Sequence, residues 1–214
     1  MIPLILKLKK ANQREIAKAQ DIIVKTLFEI FNYAVMHGGT AIWRCYQGNR
    51  FSEDIDVYIN KDTKKLNLLL GELEKKGFQT KKKKISENSV YFSFEFNRIT
   101  VKFDAIFKKI SGVLKDYETV DGNFATIYTL TPEEFLREKV SAYLNRFRIR
   151  DLYDIFFMLK HIKNIGLVKK ELEKLIKEFK EPIDEKNLKV MILDWLAPDK
   201  EKMLEYIKDV VKNG

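Results

Sequence analysis

From Asp54 to Val57 the chain alternates carboxylate and aliphatic side chains, and Asp54 lies 14 residues beyond a Gly38-Gly39-Thr40 turn. Side chains on a strand point to opposite faces in turn, so Asp54 and Asp56 share one face and Ile55 and Val57 the other. Two carboxylates side by side on a rigid strand suit a divalent cation, and a glycine turn opening a helix suits phosphate. Together they predict a protein that holds a metal-bound nucleotide.

Hydrophobic spacing sets the frame around this segment. Ile16, Ala19, Ile23, Leu27, Ile30 and Phe31 recur at helical intervals and predict a helix over 12–35. A loop over 37–39, a short helix over 40–46 and a polar turn over 47–50 lead to a strand over 54–59. A second helix is expected over 63–76, stopped by Gly77. Strands are expected over 78–85, 89–96 and 99–107, with Asn97-Arg98 as a hairpin turn, and extended pieces over 113–120 and 124–130. Thr131-Pro132-Glu133-Glu134 is a strong helix start: threonine as cap, proline in the first helical position, acids in the first turn. Helices are then expected over 132–146, 150–163, 168–180, 185–196 and 199–212. The fold class is α/β (α+β), with a mixed domain over 1–130 and a helical domain over 131–214.

Composition narrows the chemistry. With 45% hydrophobic and 33% charged residues the chain reads as globular; its apolar runs fall short of a membrane span, and no secretory leader opens it. A single cysteine, Cys45, excludes an internal disulfide framework and fits the cytoplasm. Two histidines, His37 and His161, are too few for a histidine-based zinc site, so a metal should be held by oxygen, as Mg2+ or Mn2+ is. The net charge of +9 is concentrated over 61–84, where nine lysines face three acids. Such a patch attracts a polyanion, nucleic acid above all; the competing reading is a solvated lysine-rich surface.

A metal site needs a third oxygen ligand from a neighbouring strand. Asp104, an acid within Ile99-Thr100-Val101-Lys102-Phe103-Asp104-Ala105-Ile106, is the candidate, because charge in an apolar strand is costly unless paired or metal-bound. A triad of this kind supports nucleotidyl transfer with two ions, Asp54 and Asp56 bridging them and Asp104 on the acceptor-hydroxyl side. If the stretch after Arg137 is one helix, Lys139, Tyr143, Arg146 and Arg150 line one face as a cationic stripe able to neutralise a triphosphate. Arg150 and Asp154 would brace one another and Asp151 would cap or orient the next helix. The competing reading is an ordinary salt-bridged helix surface.

These residues resemble a known family. Gly38-Gly39-Thr40-Ala41, Arg50-Phe51 with Ser52-Glu53-Asp54-Ile55-Asp56, and the block Lys139, Ala142, Arg146, Arg150, Asp151 and Asp154 look like the AbiEii-type nucleotidyltransferase toxins, relatives of the MenT toxins. The resemblance spans about 38–154. It implies a polymerase-β-like nucleotidyltransferase core with a small mixed sheet and a C-terminal helical domain. It also implies Mg2+, a nucleoside triphosphate donor, and a cognate antitoxin from a neighbouring gene. In the MenT relatives the acceptor is the tRNA 3′ end. Carried over by position, the metal ligands are Asp54, Asp56 and Asp104, with Lys139 beside them as catalytic. Gly38, Gly39, Thr40, Ser52, Lys139, Arg146, Arg150, Asp151 and Asp154 become nucleotide-binding positions. A small-molecule or protein acceptor, or a non-catalytic nucleotide- or RNA-binding module, are the alternatives.

Overall fold

The computed structural model describes residues 3–194 and 196–213. They fall into two units, one ending at Leu130 and the other beginning at Thr131. No helix among the described residues is long and apolar enough to cross a membrane.

In the first unit a short helix α1 (Leu4–Lys7) precedes α2 (Ala11–Ile30), which buries Ile16, Ala17, Ala19, Ile23, Val24 and Leu27 along one face. The helix expected over 12–35 therefore stops early. Phe31 leaves helical geometry, and Val35–His37 forms a three-residue strand, β1, that the sequence reading lacked. This strand is central. The sheet runs β3-β4-β5-β2-β1-β7-β6, and β1 joins its two halves. It pairs antiparallel with β2 (Asp54–Ile59) and parallel with β7 (Phe124–Thr129). Three buried or half-buried residues following a long amphipathic helix carry too little pattern to be told from its continuation.

Between β1 and β2 lies α3 (Gly38–Cys45); after β2 comes α4 (Thr63–Lys75), capped by Asp62 accepting from the Lys65 amide at 3.0 Å and followed by Gly77 at φ 92°. The strands β3 (Gln79–Ile85), β4 (Ser89–Phe96) and β5 (Ile99–Phe107) form a meander, and β6 (Val113–Glu118) pairs with β7. Asn97 and Arg98 both take positive φ, as a tight hairpin of matching twist requires.

Alternation divides the sheet. Ile55, Val57, Phe92, Phe94, Val101, Phe103 and Ala105 are buried, as are Leu66, Leu69, Leu70 and Leu73 of α4. Phe92 stacks on Phe103 with ring centroids 5.9 Å apart, so truncating either to alanine should cost about 3–5 kcal/mol. The residues between them on each strand point to the other face, and there the polar groups collect.

The second unit is helical: α5 (Pro132–Arg146), α6 (Ile149–Leu159), α7 (Lys169–Lys177), α8 (Leu188–Met191) and α9 (Lys200–Asn213). Thr131 and Glu134 close a reciprocal capping box at the start of α5, satisfying two amide donors. The helix expected over 185–196 is a single 3-10 turn, Glu185–Asn187, followed by the four-residue α8; Trp195 within that span lies outside the described residues.

Candidate active site

Strand register brings the carboxylates together. In the parallel pairing of β2 with β5, Asp56 is opposite Asp104 and Asp54 opposite Lys102, so all four side chains rise from the open face. On the other side of β2, His37 is opposite Asp56, and its ring stacks on Tyr58 at 4.1 Å and 15°. Asp104 registers the crowding. Burial, then the charges of Asp56 and Asp54, push its pKa from the ordinary 3.8 to about 6, with Lys102 and His37 opposing the rise. Asp54 Oδ1 is buried and accepts no hydrogen bond; Lys102 Nζ comes only to 3.6 Å.

Among the described residues no three metal-ligating side chains are already drawn into a coordination shell. The donor set nevertheless fits a hard divalent cation: all oxygen, on adjacent strands, with one buried carboxylate oxygen left without a donor.

The glycine turn is explained by what touches it. Gly38 sits at φ 72°, and a Cβ there would overlap the Asp56 carboxylate; a Cβ on Gly39 would lie 2.7 Å from Ser52 Oγ and against the Arg50 guanidinium. The glycines thus make room for the Asp56 carboxylate and for Arg50 and Ser52 as much as for any ligand. Thr40 is fully buried, and its hydroxyl donates to the Asp54 carbonyl at 2.5 Å, tying the start of α3 to β2. Gln20 of α2 donates to the carbonyls of Ser52 and Glu53, each at 3.0 Å, and fixes the approach to the strand.

A buried network that the sequence reading missed anchors α3 from behind. Arg44 donates to Asp21 at 2.7 Å, to the Ala17 carbonyl at 3.0 Å and to the Glu118 carbonyl at 2.9 Å, and its guanidinium lies 4.3 Å from the Trp43 ring. Tyr117 and the Val120 amide donate to the same aspartate. Burial raises the Asp21 pKa, with Arg44 opposing it. An Asp and an Arg 23 residues apart give no local signal of their pairing. Burial also pushes the Cys45 thiol up to about 12, which leaves it no role as a nucleophile.

The lysine run 81–84 forms the edge strand β3. A bulge between Thr80 and Lys82 admits Lys81, whose Nζ reaches Glu95 at 3.3 Å. Lys82 is opposite Ser93 and Lys84 opposite Tyr91, and those two are opposite Lys102 and Asp104. Lys82 and Lys84 therefore stand on the carboxylate face, while Lys83, opposite Phe92, stands on the other.

The block in the second unit differs from a cationic stripe. Phe147 turns left-handed at φ 49° and ends α5, so Lys139 and Arg146 lie on one helix and Arg150 on the next. Lys139 is buried, 2.7 Å from Asp154 and 3.6 Å from Asp151, and both acids are fully buried. Arg146 holds Asp151 through two parallel bonds of 2.7 Å. Asp154 is thus taken by Lys139 where a brace with Arg150 was expected, and Asp151 lies within the first turn of α6 rather than capping it. The cap is Asp184, which accepts from the Ile149 amide at 2.7 Å. Arg150, half-exposed, enters no ion pair among the described residues.

Comparison with known proteins follows the same lines. The family described as "Nucleotidyl transferase AbiEii toxin, Type IV TA system" matches residues 23–209. No curated protein sequence matches the chain. Among solved structures, JHP933 from Helicobacter pylori is similar at TM-score 0.65 and 20% identity, covering 95% of this chain and 92% of its own. MenT4, the nucleotidyltransferase toxin Rv2826c of Mycobacterium tuberculosis H37Rv, is similar at TM-score 0.63 and 17% identity, over 96% of this chain and 87% of that one. The antibiotic-resistance factor ANT(2'')-Ia is similar at TM-score 0.50 and 13% identity, over 76% of this chain and 92% of its own. At these identities the likeness is one of fold, and the fold is that of nucleotidyltransferases.

Proposed function

The chain belongs to the AbiEii family of nucleotidyltransferase toxins, and on that premise we propose that it transfers a nucleoside monophosphate from a Mg2+-bound nucleoside triphosphate to an RNA hydroxyl, the tRNA 3′ end being the favoured acceptor. The observation that carries the reading is the juxtaposition of Asp54, Asp56 and Asp104 on the open face, with a buried oxygen of Asp54 left without a donor. These three would hold Mg2+ or Mn2+. When bound, the metal supplies charge neutralisation for the phosphates and acidifies the attacking hydroxyl.

The chain's own groups divide the remaining work. Gly38, Gly39 and Thr40 open α3 beside the carboxylates, where backbone amides at a helix start meet phosphate oxygens, with Ser52 next to them. Asp104, on the strand beside Asp56, is the group we assign to the acceptor side of the reaction, where it would orient the attacking hydroxyl. In the second unit Lys139, Asp151 and Asp154 are buried together and the exposed Arg146 closes on Asp151; on the family resemblance alone, Arg150 is the cation we assign to the triphosphate. Lys82, Lys84 and Lys102 on the carboxylate face favour a polyanionic acceptor. A type IV system implies a cognate antitoxin, and we place the reaction in the cytoplasm, where nucleotide and tRNA meet.

The test is incubation with each labelled NTP, Mg2+ and total tRNA. Label on RNA that is lost in Asp56→Ala supports the reading. Label on neither RNA nor any other acceptor, in wild type as in the variant, refutes it. Label on a small molecule or protein, with no effect of Lys82→Ala/Lys84→Ala, would leave the enzyme but replace the acceptor.

A further inference from the structure

The carboxylates have a different neighbour at each end of β2. The Gly38–Thr40 turn lies at the Asp54 end, where the Thr40 hydroxyl meets the Asp54 carbonyl. At the other end, beyond Tyr58, the same face carries a cavity of about 470 Å3 lined in part by Tyr33, Asn60, Lys108, Lys109 and Tyr128. Val35 ties this cavity to the site by register, since it is opposite Tyr58 on one side and Tyr128 on the other. Two residues along a strand span roughly 7 Å and four roughly 13 Å, so the ledge begins one nucleotide step from Asp56 and ends two steps away.

Its surface has the composition of a single-strand platform. Tyr33 is 78% exposed, and its ring centroid lies 6.2 Å from that of Tyr128. Lys108 Nζ stands 5.8 Å from the Tyr58 ring, and Lys109 is exposed beside it. Exposed aromatic faces alternating with ammonium groups take unpaired bases and the phosphates between them, whatever the sequence. Among the described residues no acid lines the cavity, which disfavours a cationic acceptor.

In-line displacement decides which strand belongs there. The attacking oxygen must approach phosphorus from the side opposite the leaving pyrophosphate. With the triphosphate tail on the Gly38–Thr40 turn, the acceptor enters from the Tyr58 end. We propose that Tyr33, Tyr128, Lys108 and Lys109 form the acceptor subsite, with the buried Tyr58 beneath Lys108 as its floor, holding the last unpaired nucleotides of an RNA with its terminal hydroxyl toward Asp104. The inference rests on the nucleotidyl-transfer reading above and adds a binding site to it.

Fluorescence anisotropy with a labelled single-stranded RNA, titrated with the full chain in the absence of NTP, tests it. Tyr33→Ala and Lys108→Ala/Lys109→Ala alter exposed positions, and thermal melting checks that both variants fold. Each is expected to weaken RNA binding about tenfold. The lysine variant should also flatten the salt dependence by roughly 1.4 in the log–log slope. Binding of a fluorescent NTP with Mg2+ should stay within about twofold of wild type, a change near 0.4 kcal/mol. Unchanged RNA affinity in both folded variants, beside a wild type that binds, overturns the ledge and leaves the acceptor class standing. Equal loss of NTP and RNA binding overturns it in favour of a donor-base site. A wild type that binds no RNA overturns the ledge and the RNA acceptor together.

Discussion

Replacing Asp104 with asparagine should stabilise the metal-free protein while abolishing its activity. The pKa of Asp104 rises from the ordinary 3.8 to about 6 because burial and the charges of Asp56 and Asp54 disfavour its ionised form. A pKa higher in the folded than in the unfolded state means that the native protein binds more protons between the two values. The stabilisation is then full below about pH 4 and lost as pH rises through about 6. A rise of this size corresponds to at most roughly 3 kcal/mol, and partial exposure to water reduces this to about 1 kcal/mol. Asparagine mimics the neutral acid at every pH. Differential scanning calorimetry in EDTA should therefore show the variant melting about 2–4 °C above wild type at pH 8 and level with it at pH 4. Added Mg2+ should reverse the order at pH 8, since only wild type keeps the full carboxylate set; at about a hundred times the dissociation constant it gains roughly 2.7 kcal/mol. An equal difference at both pH values, or equal stabilisation of the two proteins by Mg2+, would refute the reasoning.

Gly38→Ala forces a side chain into a left-handed position and into the Asp56 carboxylate, so it should cost about 1–3 kcal/mol in urea denaturation and remove transferase activity. Lys139→Met leaves Asp151 and Asp154 buried with less compensation and should cost about 3–5 kcal/mol by the same assay, and Asp154→Asn in the Lys139→Met background should recover part of it. Arg150→Ala should leave the melting temperature within about 2 °C and raise KM for NTP roughly tenfold, the loss of one charged hydrogen bond to phosphate. Arg44→Met should lower stability by about 3 kcal/mol through the stranded Asp21 carboxylate, read by thermal melting.

The parts of the fold that the sequence announced are those with local pattern. Strand β2 occupies the expected 54–59, where acid and aliphatic residues alternate over 54–57, and β4 and β5 occupy 89–96 and 99–107, where aromatic and β-branched residues are dense. The capping residues at Thr131 mark α5 to the residue. The break at Phe147 falls in the expected gap between 146 and 150, but neither β1 nor the left-handed geometry of that break carries such a mark. The first is three residues long, and the second is a left-handed turn made by phenylalanine, where glycine or asparagine is the usual signal. At the site, the face shared by Asp54 and Asp56 was legible from alternation, and Asp104 from the cost of an acid in an apolar strand. The partners of the charged block were not. Lys139 with Asp154, Arg146 with Asp151 and Asp184 with the Ile149 amide are tertiary choices among many cations and acids of similar spacing. The activity class came from family resemblance, since carboxylates on a strand fit phosphoryl as well as nucleotidyl transfer.

That distinction is open to one direct measurement. The protein is incubated with Mg2+ and RNA in parallel reactions carrying label on the α- or the γ-phosphate of the NTP. The carboxylate geometry read as nucleotidyl transfer predicts α-label on RNA, γ-label in released pyrophosphate, and loss of both signals in Asp54→Ala and Asp56→Ala. Label from the γ-phosphate on RNA, or α-label transfer that survives both substitutions, would contradict it.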